Sequence, residues 1–256
     1  MQQAFDIDQC VGLLIDAWTG GTQLRELPAS ARPQDVSQGY DIQDRLIEAL
    51  APDPVVGWKL GAGSHKVKRA SGVGRSIAGR LLRSRVFASG DRVTLLNDSP
   101  VTVEIELAFV LAHDVLPGAG IDDPLSVVSG ARLTAELVQS RFFDRRAVGW
   151  PSFAADDAGF GALVAGPEIA WSELAELRES MNVSVDGVHR AGAAIGDDVT
   201  DPFQALADLL AIARERDMVL PAGSIISTGS QSAPFELSGG GKVLARTHAG
   251  VLAFTI

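Results

Sequence analysis

The chain opens on apolar residues at helical spacing. Phe5, Cys10, Val11, Leu13, Leu14, Ala17 and Trp18 fall on one stripe, and Gly20-Gly21 then stops the segment. A second such stretch follows Pro33, with Val36, Tyr40, Leu46, Ile47 and Leu50 alternating with polar residues until Pro52 and Pro54 close it. These two stretches predict a helical front end over residues 1–53. From residue 54 to 256 the pattern shifts to short β-branched runs broken by Gly, Asp and Asn, the texture of a sheet-rich body. Within that body, residues 55–60 and 102–112 read as strands, and Asp186-Gly187 marks a hairpin. Asp122 or Asp123 can cap a short helix at Pro124. Asp201 followed by Pro202 places an N-cap and an N1 proline ahead of FQALADLLAIARER. The tail KVLARTHAGVLAFTI reads as a closing hairpin across His248, Ala249 and Gly250.

Composition narrows the function classes. With 256 residues, 46% hydrophobic and 21% charged, the chain can bury a core of one large domain, or of a domain with a small appendage. Its 32 acidic and 22 basic residues give a net charge of -10, which argues against a nucleic-acid partner, since that grip needs Lys and Arg to neutralise phosphates. Cys10 is the only cysteine, so no intrachain disulfide is possible, and no Cys/His cluster has zinc-ligand spacing. Asp6 and Asp8 stand where an export signal wants basic residues, and the apolar runs fall short of the roughly 20 residues of a spanning helix. The expectation is a cytoplasmic protein with no membrane partner.

Candidate chemistry centres on VTVEIELAFVL. Strand alternation puts Val103, Ile105, Leu107, Phe109 and Leu111 on one face and both Glu104 and Glu106 on the other. Neighbouring carboxylates repel unless a cation sits between them, although a wet strand face would also carry them. Glu136 lies among apolar neighbours in ARLTAELVQSR, where it would be a third oxygen donor or the partner of Arg132 or Arg141. Three carboxylates without Cys or clustered His would suit magnesium or manganese. Lys59, in VVGWKLGAG, sits in an apolar strand, where desolvation would tune it for proton transfer unless its ammonium snorkels outward. Asp156-Asp157 reads as a turn pair or a site aspartate, and Ser227-Thr228-Gly229-Ser230 as an ordinary turn or a cradle for a substrate carboxylate. The glycine-rich GAGSHKVKRASGVGR fits neither nucleotide-binding fingerprint, the four histidines lack ligand spacing, and no G-x-S-x-G occurs.

In order, VGWKLG, VEIELAFVL, AELVQSR, AADDAGFG, DPFQALADLLA and STG resemble the 2-keto-4-pentenoate hydratase family, within the fumarylacetoacetate hydrolase superfamily, from about Val55 to the C-terminus. The resemblance implies an α+β fold, a mixed and mainly antiparallel β-roll with flanking helices, and a homo-oligomer. It implies that Glu104, Glu106 and Glu136 hold Mg2+ or Mn2+ and that Lys59 moves a proton. It also implies that Asp156 orients water or lysine, and that Leu60, Thr228 and Gly229 contact a small keto-acid substrate. The activity implied is hydration of a 2-hydroxy-2,4-dienoate in aromatic catabolism. The alternatives are a 4-oxalocrotonate-type decarboxylase, a C–C bond hydrolase, and, further off, a non-catalytic keto-acid-binding subunit. Three positions depart from the family: Ile77 stands where hydratases carry an acid, Gly63 where they carry Thr, and Asp201 where they carry His.

Overall fold

The computed structural model describes residues 5–256, apart from the side chains of Ala70 and Ser71. Two helices lead: α1 (Ile7–Gly20), capped by Asp6 through the Gln9 N–H and ended by Gly21 in the left-handed region, and α2 (Val36–Ala49), capped by Asp35 through the Gln38 N–H. Their apolar stripes bury Cys10, Leu14, Ile42 and Leu46 against Leu27, Phe142 and Ala155. Phe142 and Ala155 come from the β-rich part, so the front end packs onto it. The Cys10 thiol, buried there, is pushed up to about 12 and is chemically quiet.

The body then runs β1 (Val55–Gly61), α3 (His65–Ser71), β2 (Ile77–Leu82), β3 (Val86–Ala88), β4 (Val101–Leu111), β5 (Val128–Val138), α4 (Gly149–Ala155) and β6 (Phe160–Ile169). It continues through β7 (Asn182–Val185), β8 (Val188–Gly192), α5 (Pro202–Glu215), β9 (Ile225–Ser230), β10 (Phe235–Leu237), β11 (Lys242–Thr247) and β12 (Gly250–Thr255). An eight-stranded sheet has the order β2-β1-β9-β4-β5-β6-β3, with β10 also on β4, and a four-stranded sheet has the order β12-β11-β7-β8. Most pairs are antiparallel; β1 with β9 and β3 with β6 are parallel. The architecture is the mixed α+β, mainly antiparallel roll expected from the motif order.

The core follows from strand alternation. Val101, Val103, Ile105, Leu107 and Phe109 of β4 are buried with Leu133, Ala135 and Leu137 of β5 and with Leu206 and Leu209 of α5. The expected details at the helix and hairpin ends are also present. Asp123 accepts from Leu125 N–H ahead of a short 3-10 turn, Asp201 caps α5 with Pro202 at its start, and Asp186-Gly187 links β7 to β8. Among the described residues, no helix is long and apolar enough to cross a membrane.

Candidate active site

Lys59 lies in the middle of β1, opposite Gly79 of β2 and opposite Ser227 of β9. The residue is 1% exposed, so the ammonium does not snorkel. Its Nζ pairs with Glu136 Oε1 at 2.9 Å, donates to the Ala158 carbonyl at 2.8 Å and lies 5.6 Å from the centre of the Phe153 ring. Gly79 makes room for this arrangement: a Cβ there would stand 2.5 Å from the Asp157 carbonyl oxygen and 3.1 Å from Lys59 Cδ.

The three glutamates meet across β4 and β5. Glu104 is directly opposite Glu136, and Glu106 lies two residues along β4 on the same face. That face is not wet, because Glu106 and Glu136 are fully buried and Glu104 is half-buried. Glu136 is held by neither Arg132 nor Arg141; its cation is Lys59, brought from β1 by tertiary folding. Glu106 Oε2 accepts from Ser227 Oγ at 2.6 Å and from Gly229 N–H at 3.0 Å, whereas its Oε1 is buried without a partner. Burial first, then the charges of Glu136 and Glu104, raise the Glu106 carboxyl well above the usual carboxylate range. Burial also raises Glu136, against the opposing pull of Lys59.

The structure places the other candidate residues as follows. Ser227 to Ser230 form part of β9 rather than a turn, and their donors converge on the protein itself. The Thr228 hydroxyl donates to Leu107 O at 2.6 Å, and the Gly229 N–H, in a backbone with φ +94, serves Glu106. Leu60 is buried in the apolar core. The Gly229 N–H thus orients Glu106, and the Thr228 hydroxyl ties β9 to β4. The Asp156 carboxylate accepts from Ser140 Oγ, from the Arg141 N–H at 3.1 Å and from Arg141 Nε.

Sequence reasoning missed Arg141 as a structural centre. Its guanidinium is fully buried, donates to the carbonyls of Gln139, Phe160 and Asp156, and stacks 4.4 Å from the Trp18 ring of α1. The signal was an arginine inside an apolar run followed by an acid fifteen residues on, but nothing local distinguishes Asp156 from Glu136 as its partner. Ile77, opposite Gly61, shares the sheet face of Lys59 and is 1% exposed, so this wall is apolar. A Cβ on Gly63 would stand 2.7 Å from the Thr200 methyl, so a threonine in the turn after Lys59 would require Thr200 to move.

Among the described residues, no three His, Cys, Asp or Glu side chains are gathered into a finished cage, and Glu136 is turned onto Lys59. The set nevertheless fits a hard dication. Three carboxylates against one ammonium leave a formal excess of two negative charges in a buried place, and Glu106 Oε1 has no donor.

The model of a family described as fumarylacetoacetate (FAA) hydrolase C-terminal matches residues 81–251. A curated 4-oxalocrotonate decarboxylase from a Pseudomonas species is 27% identical over 193 residues, covering 72% of each chain. The 4-oxalocrotonate decarboxylase from Pseudomonas putida G7, solved with magnesium and adipate, is similar with a TM-score of 0.82 over 99% of both chains at 20% identity. A fumarylacetoacetate hydrolase family protein from Yersinia pestis CO92 is similar with a TM-score of 0.55 over 81% of this chain and 95% of its own, at 16% identity. At these identities the structural likeness speaks for the fold.

Proposed function

Because the chain belongs to the fumarylacetoacetate hydrolase family, we propose that it is a divalent-metal-dependent decarboxylase of a 2-keto dicarboxylate of the 4-oxalocrotonate type. The observation that carries this reading is the apolar wall at Ile77, on the face of Lys59. Adding water across an alkene calls for an acid or base that activates the water, and the position where hydratases carry that acid is isoleucine. Loss of carbon dioxide needs less: an electron sink, a desolvated carboxylate to leave, and one proton for the carbon left behind. An apolar neighbour favours the leaving of a carboxylate, whereas a second acid would repel it while it binds. Further support comes from the curated decarboxylase at 27% identity and from the full-length fold likeness to its solved counterpart.

In this reading Glu104, Glu106 and Glu136 would hold the cation, with Ser227 and Gly229 fixing the orientation of Glu106. A bound Mg2+ or Mn2+ would supply Lewis acidity toward the carboxylate and 2-oxo oxygens of the substrate. The bond between the distal carboxyl and its carbon breaks, and its electron pair moves into the conjugated keto system. Lys59 then gives a proton from Nζ to the carbon that lost the carboxyl and recovers one from water. Glu136 and the Ala158 carbonyl hold the ammonium in place for that transfer.

The test is incubation with magnesium and 4-oxalocrotonate, following carbon dioxide release and the diene absorbance. The expected result is one carbon dioxide per substrate consumed, abolished by EDTA and by Glu106→Ala. Water addition to 2-hydroxypentadienoate without carbon dioxide release would instead favour the hydratase, the reading that the order of VGWKLG and VEIELAFVL suggests. Activity surviving both EDTA and Glu106→Ala would refute the metal.

A further inference from the structure

Thr200 carries a hydroxyl for which the protein itself supplies no partner. The residue is 5% exposed, stands just ahead of the α5 cap Asp201, and its Oγ1 makes no hydrogen bond among the described residues. Its backbone is fixed, since the amide of the buried Gln231 donates to the Thr200 carbonyl at 2.9 Å. Its side chain is wedged between two glycines. A Cβ on Gly63 would stand 2.7 Å from the Thr200 methyl, and a Cβ on Gly229 would stand 2.9 Å from that methyl and 3.0 Å from Oγ1. Gly229 is the residue whose N–H holds Glu106 Oε2 at 3.0 Å. Gly63 lies two residues past Gly61, where a Cβ would stand 3.3 Å from Lys59 Nζ. The hydroxyl therefore sits between the turn that leaves Lys59 and the strand that orients Glu106.

Packing alone does not call for a hydroxyl at this place. Valine has nearly the same shape, would fill the space between the glycines and would bury no polar group, whereas a hydroxyl left without a partner costs free energy. Glu106 Oε2 already has Ser227 and Gly229 as donors, and Lys59 already has Glu136 and the Ala158 carbonyl. A neutral donor beside them suits an anionic oxygen brought in by the substrate. A 2-keto dicarboxylate offers two carboxylates that need different surroundings. The one that leaves as carbon dioxide loses its charge, so a hydrogen bond to it would stabilise the ground state over the transition state, and the apolar Ile77 suits it better. The carboxylate beside the 2-oxo group keeps its charge throughout. We propose that the Thr200 hydroxyl donates to that retained carboxylate and is a substrate-binding residue for the keto-acid end. The proposal rests on the reading that a 2-keto acid lies against a cation held by the glutamates.

The experiment compares the full-length wild type with Thr200→Val and Thr200→Ser, each titrated calorimetrically with 2-oxopentanoate and with 2-oxoadipate in the presence of magnesium. Both probes carry the keto-acid end, and only 2-oxoadipate has a distal carboxylate. Neither has the alkene that would take up the electron pair of a departing carboxyl, so both bind without turnover. Thr200→Val is expected to bind both probes about tenfold more weakly, and Thr200→Ser to stay within about threefold of wild type. Without ligand, Thr200→Val is expected to melt no lower than wild type, because the fold loses no hydrogen bond. Equal affinities in wild type and Thr200→Val overturn the proposal. So does a loss confined to 2-oxoadipate, which would put the hydroxyl on the departing carboxylate, and so does a loss in Thr200→Ser equal to that in Thr200→Val, which would trace the effect to the methyl group. A lowered melting temperature in Thr200→Val would show that the hydroxyl serves the fold, and it overturns the proposal as well. Failure of wild type to bind either probe removes the keto-acid reading and the proposal together. Because no readout uses turnover, binding without release of carbon dioxide from 4-oxalocrotonate would count against the decarboxylase alone.

Discussion

At the residue scale the decisive feature is how buried ions are paired. Arg141 and Asp156 form one fully buried pair, supported by Ser140 and three backbone carbonyls, and Lys59 and Glu136 form another with a single carbonyl in support. A well-satisfied buried pair holds a fold in one arrangement, and breaking it by removing one partner costs about 3–5 kcal/mol. Arg141→Met is therefore expected to lower unfolding stability in urea by about that amount, through the stranded Asp156 and the lost stack on Trp18, and Arg141→Met/Asp156→Leu should recover part of it. If the single substitution were neutral, the pair would have no role in joining α1 to the sheet. These pairings were only half legible in the sequence. Glu136 was visible as an acid in an apolar run, but its partner is 77 positions away in β1, beyond any local rule.

At the element scale, capping and close approach govern the site. Asp201 accepts from the N–H groups of Phe203 and Gln204 at 2.9 and 3.2 Å, and Asp201→Ala is expected to cost about 1 kcal/mol by chemical denaturation without changing substrate affinity. That result would mark the family departure at this position as a helix cap rather than a pocket residue. Gly79 is the opposite case. A methyl group there meets the Asp157 carbonyl at 2.5 Å, so Gly79→Ala must push the 157–158 segment off Lys59. The expected outcome is a loss of turnover of at least about tenfold with a melting temperature lowered by only a few degrees. Unchanged turnover would show that the Ala158 carbonyl does not position the lysine. The strands and helices that carry these residues were readable in advance, because their alternation and caps are local. The glycine's role was not, since only the β1–β2 pairing brings position 79 beside Lys59.

At the scale of the whole molecule, the sheet gathers negative charge inside a chain that already carries -10. Without a cation, Glu106 and Glu136 oppose folding through burial and mutual repulsion. Magnesium is accordingly expected to raise the melting temperature, by about 2.7 kcal/mol of stability at 100 times its dissociation constant, and EDTA to reverse the gain. Glu106→Gln removes one buried charge, so its metal-free form should melt higher than the wild type at pH 8 and gain little from magnesium. An equal magnesium shift in both proteins, measured by differential scanning fluorimetry, would count against Glu106 as a ligand.

Local pattern determined the helices, the hairpins, the alternation of β4 and the presence of three oxygen donors and a lysine in apolar surroundings, because those properties depend on neighbours within a few residues. The tertiary structure alone decided which ions meet. It turned the Ser227 and Gly229 donors onto Glu106, set Asp156 on Arg141 and brought Glu136 to Lys59. Those choices depend on strand order, and the sequence of a strand states which face is buried but not which strand lies beside it.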